Sequence, residues 1–113
     1  MTLREKLHGE VVVISLSGSL LGEPGATNLR DAVYRLLGEN KKHFVIDLGD
    51  VRFINSMGLG ALIASLTSVR NRGGDMCLAR VKDKVQGILM ITKLVKVFRL
   101  YETVDKAVES FKL

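Results

Sequence analysis

The side chain best placed for chemistry in this sequence is the hydroxyl of Ser56. A β-branched, apolar segment stops at the polar pair Asn55-Ser56, and a helical apolar pattern begins directly afterwards with Leu59. This order puts the hydroxyl at a helix start, where unpaired backbone N–H groups converge and aligned peptide dipoles favour negative charge. A phosphate group added to Ser56 would be tolerated there. The other interpretation of the same spacing is an ordinary N-cap, a common use of serine at a helix start.

Residues that usually carry other kinds of chemistry lack the neighbours they need. The run Gly58-Leu59-Gly60 has neither the third glycine of a dinucleotide-binding turn nor the Gly-Lys-Ser/Thr of a phosphate-binding loop. His8 and His43 stand apart, with no carboxylate or cysteine at metal-ligand spacing. No base in the nearby sequence pairs with Ser56. We therefore predict no catalytic residue, no metal site and no cofactor.

The basic residues are not arranged as in nucleic-acid-binding proteins. The formal net charge is +5, but the basic residues between Arg70 and Lys84 are interrupted by Asp75 and Asp83. The chain has no Trp, and aromatic residues make up 5% of it. A single-strand binder usually adds stacking aromatic rings to its basic groove. We therefore predict a solvated basic face and no direct contact with nucleic acid.

Length and hydrophobicity predict one compact domain. The 113 residues, 47% of them hydrophobic, can fill a single core and are too few for two ordinary domains, so we assign one domain to residues 1–113. Charges or glycines break every apolar run before the roughly 18 residues of a membrane span, and the N-terminus lacks the apolar core of a signal peptide. We expect a cytoplasmic protein without membrane insertion. Cys77 lies in an apolar run and is predicted to be a small buried side chain.

Apolar periodicity alternates between strand and helix patterns. Bounded apolar segments predict strands at 3–8, 11–16, 43–48 and 75–79, with a short edge strand at Val97-Phe98. Helices are predicted from Pro24, after Ser56, and after the capping residues Asp83 and Thr103. The helix after Ser56 should bury one apolar stripe, made of Leu59, Leu62, Ile63, Leu66 and Val69. The fold class is therefore α/β, with a mixed, mainly parallel sheet of about five strands and about four helices joined by right-handed crossovers.

Three stretches resemble the STAS domain, the fold shared by bacterial anti-sigma factor antagonists and the cytosolic parts of sulphate transporters. In the family's order, they are residues 16–20, residues 45–48 running into 55–60, and residues 97–103 before a final helix with Ala107. Together they span nearly the whole chain. Because no transmembrane segment accompanies them, the stand-alone antagonist is the more similar member.

The resemblance implies a phosphorylation switch at Ser56. In that family the corresponding serine is phosphorylated by an anti-sigma factor that is also a serine kinase. The unphosphorylated antagonist sequesters this kinase and so releases a sigma factor, and a separate serine phosphatase resets it. We expect the partner to bind Asn55, Ser56, Met57, Gly58 and Gly60, with the two glycines leaving room for close approach of its backbone.

The chain differs from the family pattern at three positions. Relatives often carry an acidic residue at the position of Asn55, Ser or Thr at that of Met57, and Asp at that of Leu21. Two alternatives to the switch stay open: a small-ligand or nucleotide-binding STAS module, and a constitutive scaffold in a stress-signalling complex whose Ser56 is never phosphorylated. We do not expect an enzyme.

Overall fold

The computed structural model describes residues 2–20 and 22–112. Its strands are β1 (Thr2–His8), β2 (Val11–Leu20), β3 (His43–Ile54), β4 (Asp75–Ala79) and β5 (Leu100–Tyr101). Its helices are α1 (Gly25–Gly38), α2 (Ser56–Asn71), α3 (Asp83–Ile91) and α4 (Val104–Glu109). The strands form one sheet in chain order, with β1 antiparallel to β2 and the other neighbours parallel. The predicted α/β class and mixed, mainly parallel sheet are confirmed.

Helices α1, α2 and α3 pack on one face of the sheet, and α4 packs on the other. Successive side chains of a strand point to opposite faces. Val12 and Phe44 accordingly join the larger core beneath the three helices, whereas Val13, Val45 and Cys77 join a smaller cluster beneath α4. Both faces of the central strands are covered, which explains why their sequences are nearly continuous in apolar residues.

Strand β3 is longer than its sequence pattern indicates. We predicted a strand over 43–48, but β3 continues to Ile54. It pairs with β2 as far as Ile54, and two register shifts in this pairing each place one extra residue in β3; such bulges bend a strand and increase its twist. Pairing with β4 ends where Asp47 lies opposite Ala79. The last part of β3 therefore projects beyond β4 toward the start of α2.

The predicted edge strand at Val97-Phe98 is wrong. A 3₁₀ turn spans Leu94–Lys96, and β5 follows only at Leu100–Tyr101. Phe98 is 2% exposed and packs in the larger core, so its apolar character serves packing and not strand pairing. The strand forms three residues further along the chain, where Leu100 and Tyr101 pair with Leu78 and Ala79 of β4.

The buried face of α2 is also not the one predicted. Ile63 is 37% exposed, although its spacing placed it in the apolar stripe. Helix α2 packs against α1 as well as the sheet. Ala61 and Ser65 are buried in place of Ile63 because the contact with α1 rotates the buried face toward them.

The caps of α3 and α4 agree only in part with the prediction. Asp83 is the first residue of α3, while Lys82 occupies the cap position without a side-chain capping bond. Thr103 caps α4 as predicted, because its hydroxyl oxygen accepts a hydrogen bond from the Lys106 N–H at 3.0 Å. Among the described residues, the helices are all too short or too polar to cross a membrane.

Candidate functional site

The start of α2 leaves Ser56 exposed and its hydroxyl outside the capping interaction. Asn55 is extended, with φ −114° and ψ −175°, and its side-chain oxygen accepts a hydrogen bond from the Gly58 N–H at 3.0 Å. Asn55 is therefore the N-cap, and the interpretation of Ser56 as the cap is wrong. Because β3 runs on to Ile54, Ser56 becomes the first residue of the helix.

The four backbone N–H groups at this helix end differ in whether they are paired within the described residues. A helix start leaves four N–H groups without intrahelical partners. Here the Asn55 N–H donates to the Leu20 carbonyl at 3.3 Å, and the Gly58 N–H donates to the Asn55 side chain. The other two belong to Ser56 and Met57, and within residues 2–20 and 22–112 neither donates to a backbone carbonyl. A phosphate on Ser56 would lie beside these groups, at the positive end of the helix dipole.

Gly58 lies inside the domain, not on a surface open to a partner. It is buried, and a Cβ atom at this position would stand 2.3 Å from the Leu20 backbone oxygen and 2.9 Å from Ile54 Cγ1. Both distances are well inside van der Waals contact, which for carbon atoms is optimal at roughly 3.5–4.0 Å. The expectation that Gly58 leaves room for a partner is therefore wrong. The end of β2 fills that space, and the missing side chain lets α2 approach the sheet.

The accessible surface around Ser56 combines an open glycine with two large apolar side chains. Gly60 is exposed, and a Cβ atom there would meet no heavy atom within 4 Å. Phe53 is 49% exposed and Met57 is 52% exposed. We call Phe53, Asn55, Ser56, Met57 and Gly60 the switch surface. Half-exposed apolar groups around a modifiable hydroxyl are typical of a protein-binding surface.

Sequence reasoning missed Phe53 and its neighbour Lys84. The Lys84 ammonium lies 5.0 Å from the centroid of the Phe53 ring, so α3 borders the switch surface. The exposure of Phe53 follows from the extension of β3 to Ile54, because Ile54 enters the core and adjacent strand residues face opposite ways. The approach of Lys84 to Phe53 depends on how α3 follows β4, and no local sequence pattern predicts it. Leu21, where the chain departs from the family pattern, lies outside the described residues.

The surroundings of Cys77 and of the half-buried His43 suit packing and not catalysis or metal binding. Cys77 is fully buried, and burial raises the pKa of its thiol to about 11, so the thiol is protonated and a poor nucleophile at neutral pH. The ring of His43 stacks on Phe111 with 4.7 Å between centroids. In the described part of the chain, no group of three or more His, Cys, Asp or Glu side chains could hold a metal ion. The start of α2 is thus the candidate site.

Comparison with known families identifies the group to which this chain belongs. The STAS domain family matches residues 3–107. The chain belongs to the STAS domain family. A Thermotoga neapolitana protein named as an anti-sigma factor antagonist is 30% identical to this STAS domain over 101 residues, covering 88% of this chain and 89% of the relative. A similarly named Thermotoga maritima protein is 33% identical over 75 residues, covering 66% of this chain and 65% of the relative, just under two thirds of its length.

The same STAS fold occurs in the Bacillus protein SpoIIAA, an anti-sigma factor antagonist solved in two states. Its unphosphorylated form matches with a TM-score of 0.75, covering 96% of each chain. Its phosphorylated form matches with a TM-score of 0.78, covering 98% of this chain and 100% of SpoIIAA. Sequence identity is 15% in both comparisons, so the likeness establishes the fold alone.

Proposed function

We propose that this STAS protein is an anti-sigma factor antagonist switched by phosphorylation of Ser56. Unphosphorylated, it binds an anti-sigma factor with serine kinase activity and so releases a sigma factor. Phosphorylation by that kinase ends the binding, and a serine phosphatase restores it. The observation that carries the proposal is the exposed Ser56 at the N-terminus of α2, with the capping role taken by Asn55. The names of the Thermotoga relatives support the class of partner.

Phosphorylation would change the switch surface without requiring a new fold. It adds about −1.5 to −2 charges and three acceptor oxygens at one point. The N–H groups of Ser56 and Met57 can donate to those oxygens, so the helix end accommodates the charge. A partner that covers Phe53 and Met57 must exclude water from the same place. Removing a phosphate from water is costly, so the charge opposes binding.

In this proposal the chain is a binding protein and a kinase substrate, and it is not an enzyme. Ser56 accepts a phosphoryl group from ATP held by the partner, while this chain supplies the positioned hydroxyl. Its partners are proteins, so the function needs no direct contact with nucleic acid. The proposal also places the protein in the cytoplasm, because sigma factors and their regulators act on the transcription machinery there.

Incubation with the candidate kinase and ATP tests the proposal. We expect intact-mass analysis to show one added phosphate, site mapping to place it on Ser56, and Ser56→Ala to remain unmodified. Ser65, Thr67 and Ser68 lie on the same helix beyond its first turn, and Ser65 is only 2% exposed. A phosphate mapped to Thr67 or Ser68, or a wild-type chain left unmodified by every candidate kinase, contradicts the proposal.

The apolar members of the switch surface should carry much of the binding energy. We expect Phe53→Ala and Met57→Ala each to weaken binding of the anti-sigma factor about tenfold or more, because buried apolar anchors dominate protein interfaces. Leu7→Ala is the matched control, since Leu7 is 53% exposed and lies opposite Val12 near the start of β2, at the other end of the sheet. Isothermal titration calorimetry measures the affinity of all three variants for the anti-sigma factor. Wild-type affinity in both Phe53→Ala and Met57→Ala contradicts this surface.

A further inference from the structure

A buried carboxylate lies in the middle of the sheet, away from the switch surface. The Asp47 side chain is 8% exposed and accepts hydrogen bonds from two nitrogens of Arg80, from Nε at 2.8 Å and from Nη2 at 3.1 Å. The Ser15 hydroxyl and the Gly49 N–H also donate to Asp47, at 3.3 and 3.0 Å. Arg80 Nη2 lies 3.9 Å from Asp50 as well. A bidentate guanidinium–carboxylate pair of this kind fixes direction as well as distance.

The backbone at Arg80 is shaped to make this contact. Arg80 directly follows β4 and has φ +56°, a left-handed conformation that is uncommon for residues other than glycine. Its N–H donates to the Tyr101 carbonyl at 3.0 Å, which holds the turn against β5. The side chain thereby reaches back across the sheet to β3. The surroundings of Arg80, among them this backbone hydrogen bond and the contact with Asp47, hold it in that conformation.

Arg80 also occupies the space left by the missing side chain of Gly49. A Cβ atom at Gly49 would stand 2.2 Å from Arg80 Cζ. Gly49 lies at a bulge of β3, because Ser15 pairs with Asp47 while Ser17 pairs with Asp50. The guanidinium therefore lies over the bulge itself. Bulges re-aim the strand that follows them.

The part of β3 that follows the bulge leads directly to Ser56. Pairing of β4 with β3 ends at Asp47. Beyond that point, on the side of β3 that faces β4, the contacts come from Arg80 and from α3, whose Lys84 lies over Phe53. On the other side β2 pairs with β3 as far as Ile54. The direction of this projecting segment decides where Phe53 and Ser56 lie.

We propose that Arg80 is a positioning residue for phosphorylation: by clamping Asp47 over the Gly49 bulge, it sets the direction of the end of β3 and hence the place of Ser56. The inference rests on the proposed function for its consequence, but its structural content concerns this chain alone. Arg80 itself touches no reacting atom. It acts through β3.

We call the contact of Arg80 with Asp47 and Gly49 the clamp. Two variants disturb it, one by changing Arg80 and the other by changing Gly49. Arg80→Lys keeps the charge but cannot reproduce the two-nitrogen fork. Gly49→Ala keeps Arg80 and places a methyl group where the guanidinium lies; the Gly49 backbone is outside the left-handed region, so alanine can adopt it. The control is Arg99→Lys. Arg99 pairs with Asp75 at 3.1 Å and is 39% exposed, against 44% for Arg80, but Asp75 begins β4 at the far end of that strand.

The first readout needs no partner. In amide NMR spectra of the isolated protein, we expect Arg80→Lys and Gly49→Ala to shift the signals of residues 53–58, whereas Arg99→Lys leaves those signals in place. Unchanged signals at 53–58 in both clamp variants overturn the proposal. This result stands whether or not Ser56 is ever phosphorylated, so failure here is distinct from failure of the proposed function.

The second readout is the rate of phosphorylation by the anti-sigma kinase with ATP. We expect kcat/KM to fall about tenfold in both clamp variants, mostly through kcat, because a small misplacement of a reacting group is costly once the substrate has docked. Arg99→Lys should keep the wild-type rate, and urea unfolding should show that all three variants remain folded. Wild-type kcat in folded Arg80→Lys and Gly49→Ala, or an equal fall in Arg99→Lys, overturns the assignment.

Discussion

Replacing Gly58 with leucine should destabilise the domain severely, and not merely block a partner. A Cβ atom at Gly58 already stands 2.3 Å from the Leu20 backbone oxygen, which cannot rotate away as a side-chain tip can. Forcing a leucine there must push α2 off the ends of β2 and β3. We expect a loss of at least about 3 kcal/mol in the free energy of unfolding. For a domain of this size, that corresponds to a fall of roughly 10 °C or more in Tm.

Gly60 provides the matched control for this prediction. It lies on the same helix but is exposed, with no heavy atom within 4 Å of a Cβ position. Gly60→Ala should therefore keep the fold and stabilise it by up to about 1 kcal/mol, because alanine favours a helix more than glycine does. Urea unfolding monitored by circular dichroism compares the stability of the Gly58→Leu and Gly60→Ala variants with that of the wild type. An unfolding midpoint of Gly58→Leu equal to that of the wild type contradicts the packing described for Leu20.

The parts of the fold that sequence predicts well are those with local causes. The strand at 75–79 is a short bounded apolar run, the helix after Ser56 has a helical apolar period, and Thr103 is a capping residue that does cap α4. The order of strands and helices then restricts the sheet to a mixed, mainly parallel one. The position of Ser56 at a helix start follows from the same local signals.

The features that sequence does not predict depend on distant partners. The length of β3 is set by register shifts against β2, which no local pattern records. Asn55 and Ser56 are both good capping residues, and which of them caps α2 depends on where β3 ends. The glycine at position 58 predicts that another group approaches the backbone closely, but it does not predict which group. Leu20, remote in sequence, makes that approach, so Gly58 is a packing residue while Gly60 stays open.

Under the proposed function, phosphorylation of Ser56 should change partner binding strongly while changing the structure of the domain little. Ser56 is the first residue of α2, close to the end of β3, and the buried face of this helix is anchored by Leu62 and Leu66. A negative charge at this helix end should stabilise the domain by about 0.3–1 kcal/mol.

Charge at position 56 should therefore control partner binding while the domain stays folded. We expect the affinity of Ser56→Ala for the anti-sigma factor to lie within about threefold of that of the unphosphorylated wild type. Ser56→Asp should bind about tenfold more weakly, and the Ser56-phosphorylated protein about a hundredfold more weakly. The order follows from the charge carried by each group, because a carboxylate brings one negative charge to the switch surface and a phosphate brings more. Calorimetric titration with the anti-sigma factor measures the series.

Thr67→Asp makes the same change of charge on the exposed side of α2, far along the helix from Ser56. It should bind the anti-sigma factor as the wild type does, which separates a local effect from a change in net charge. Amide NMR spectra and thermal unfolding of the phosphorylated protein complete the test. Shifts confined to the start of α2, with an equal or slightly higher Tm, are the expected result. Equal affinities across the series would remove the electrostatic switch, and widespread shifts with a large loss of stability would mean that phosphorylation acts by refolding the domain.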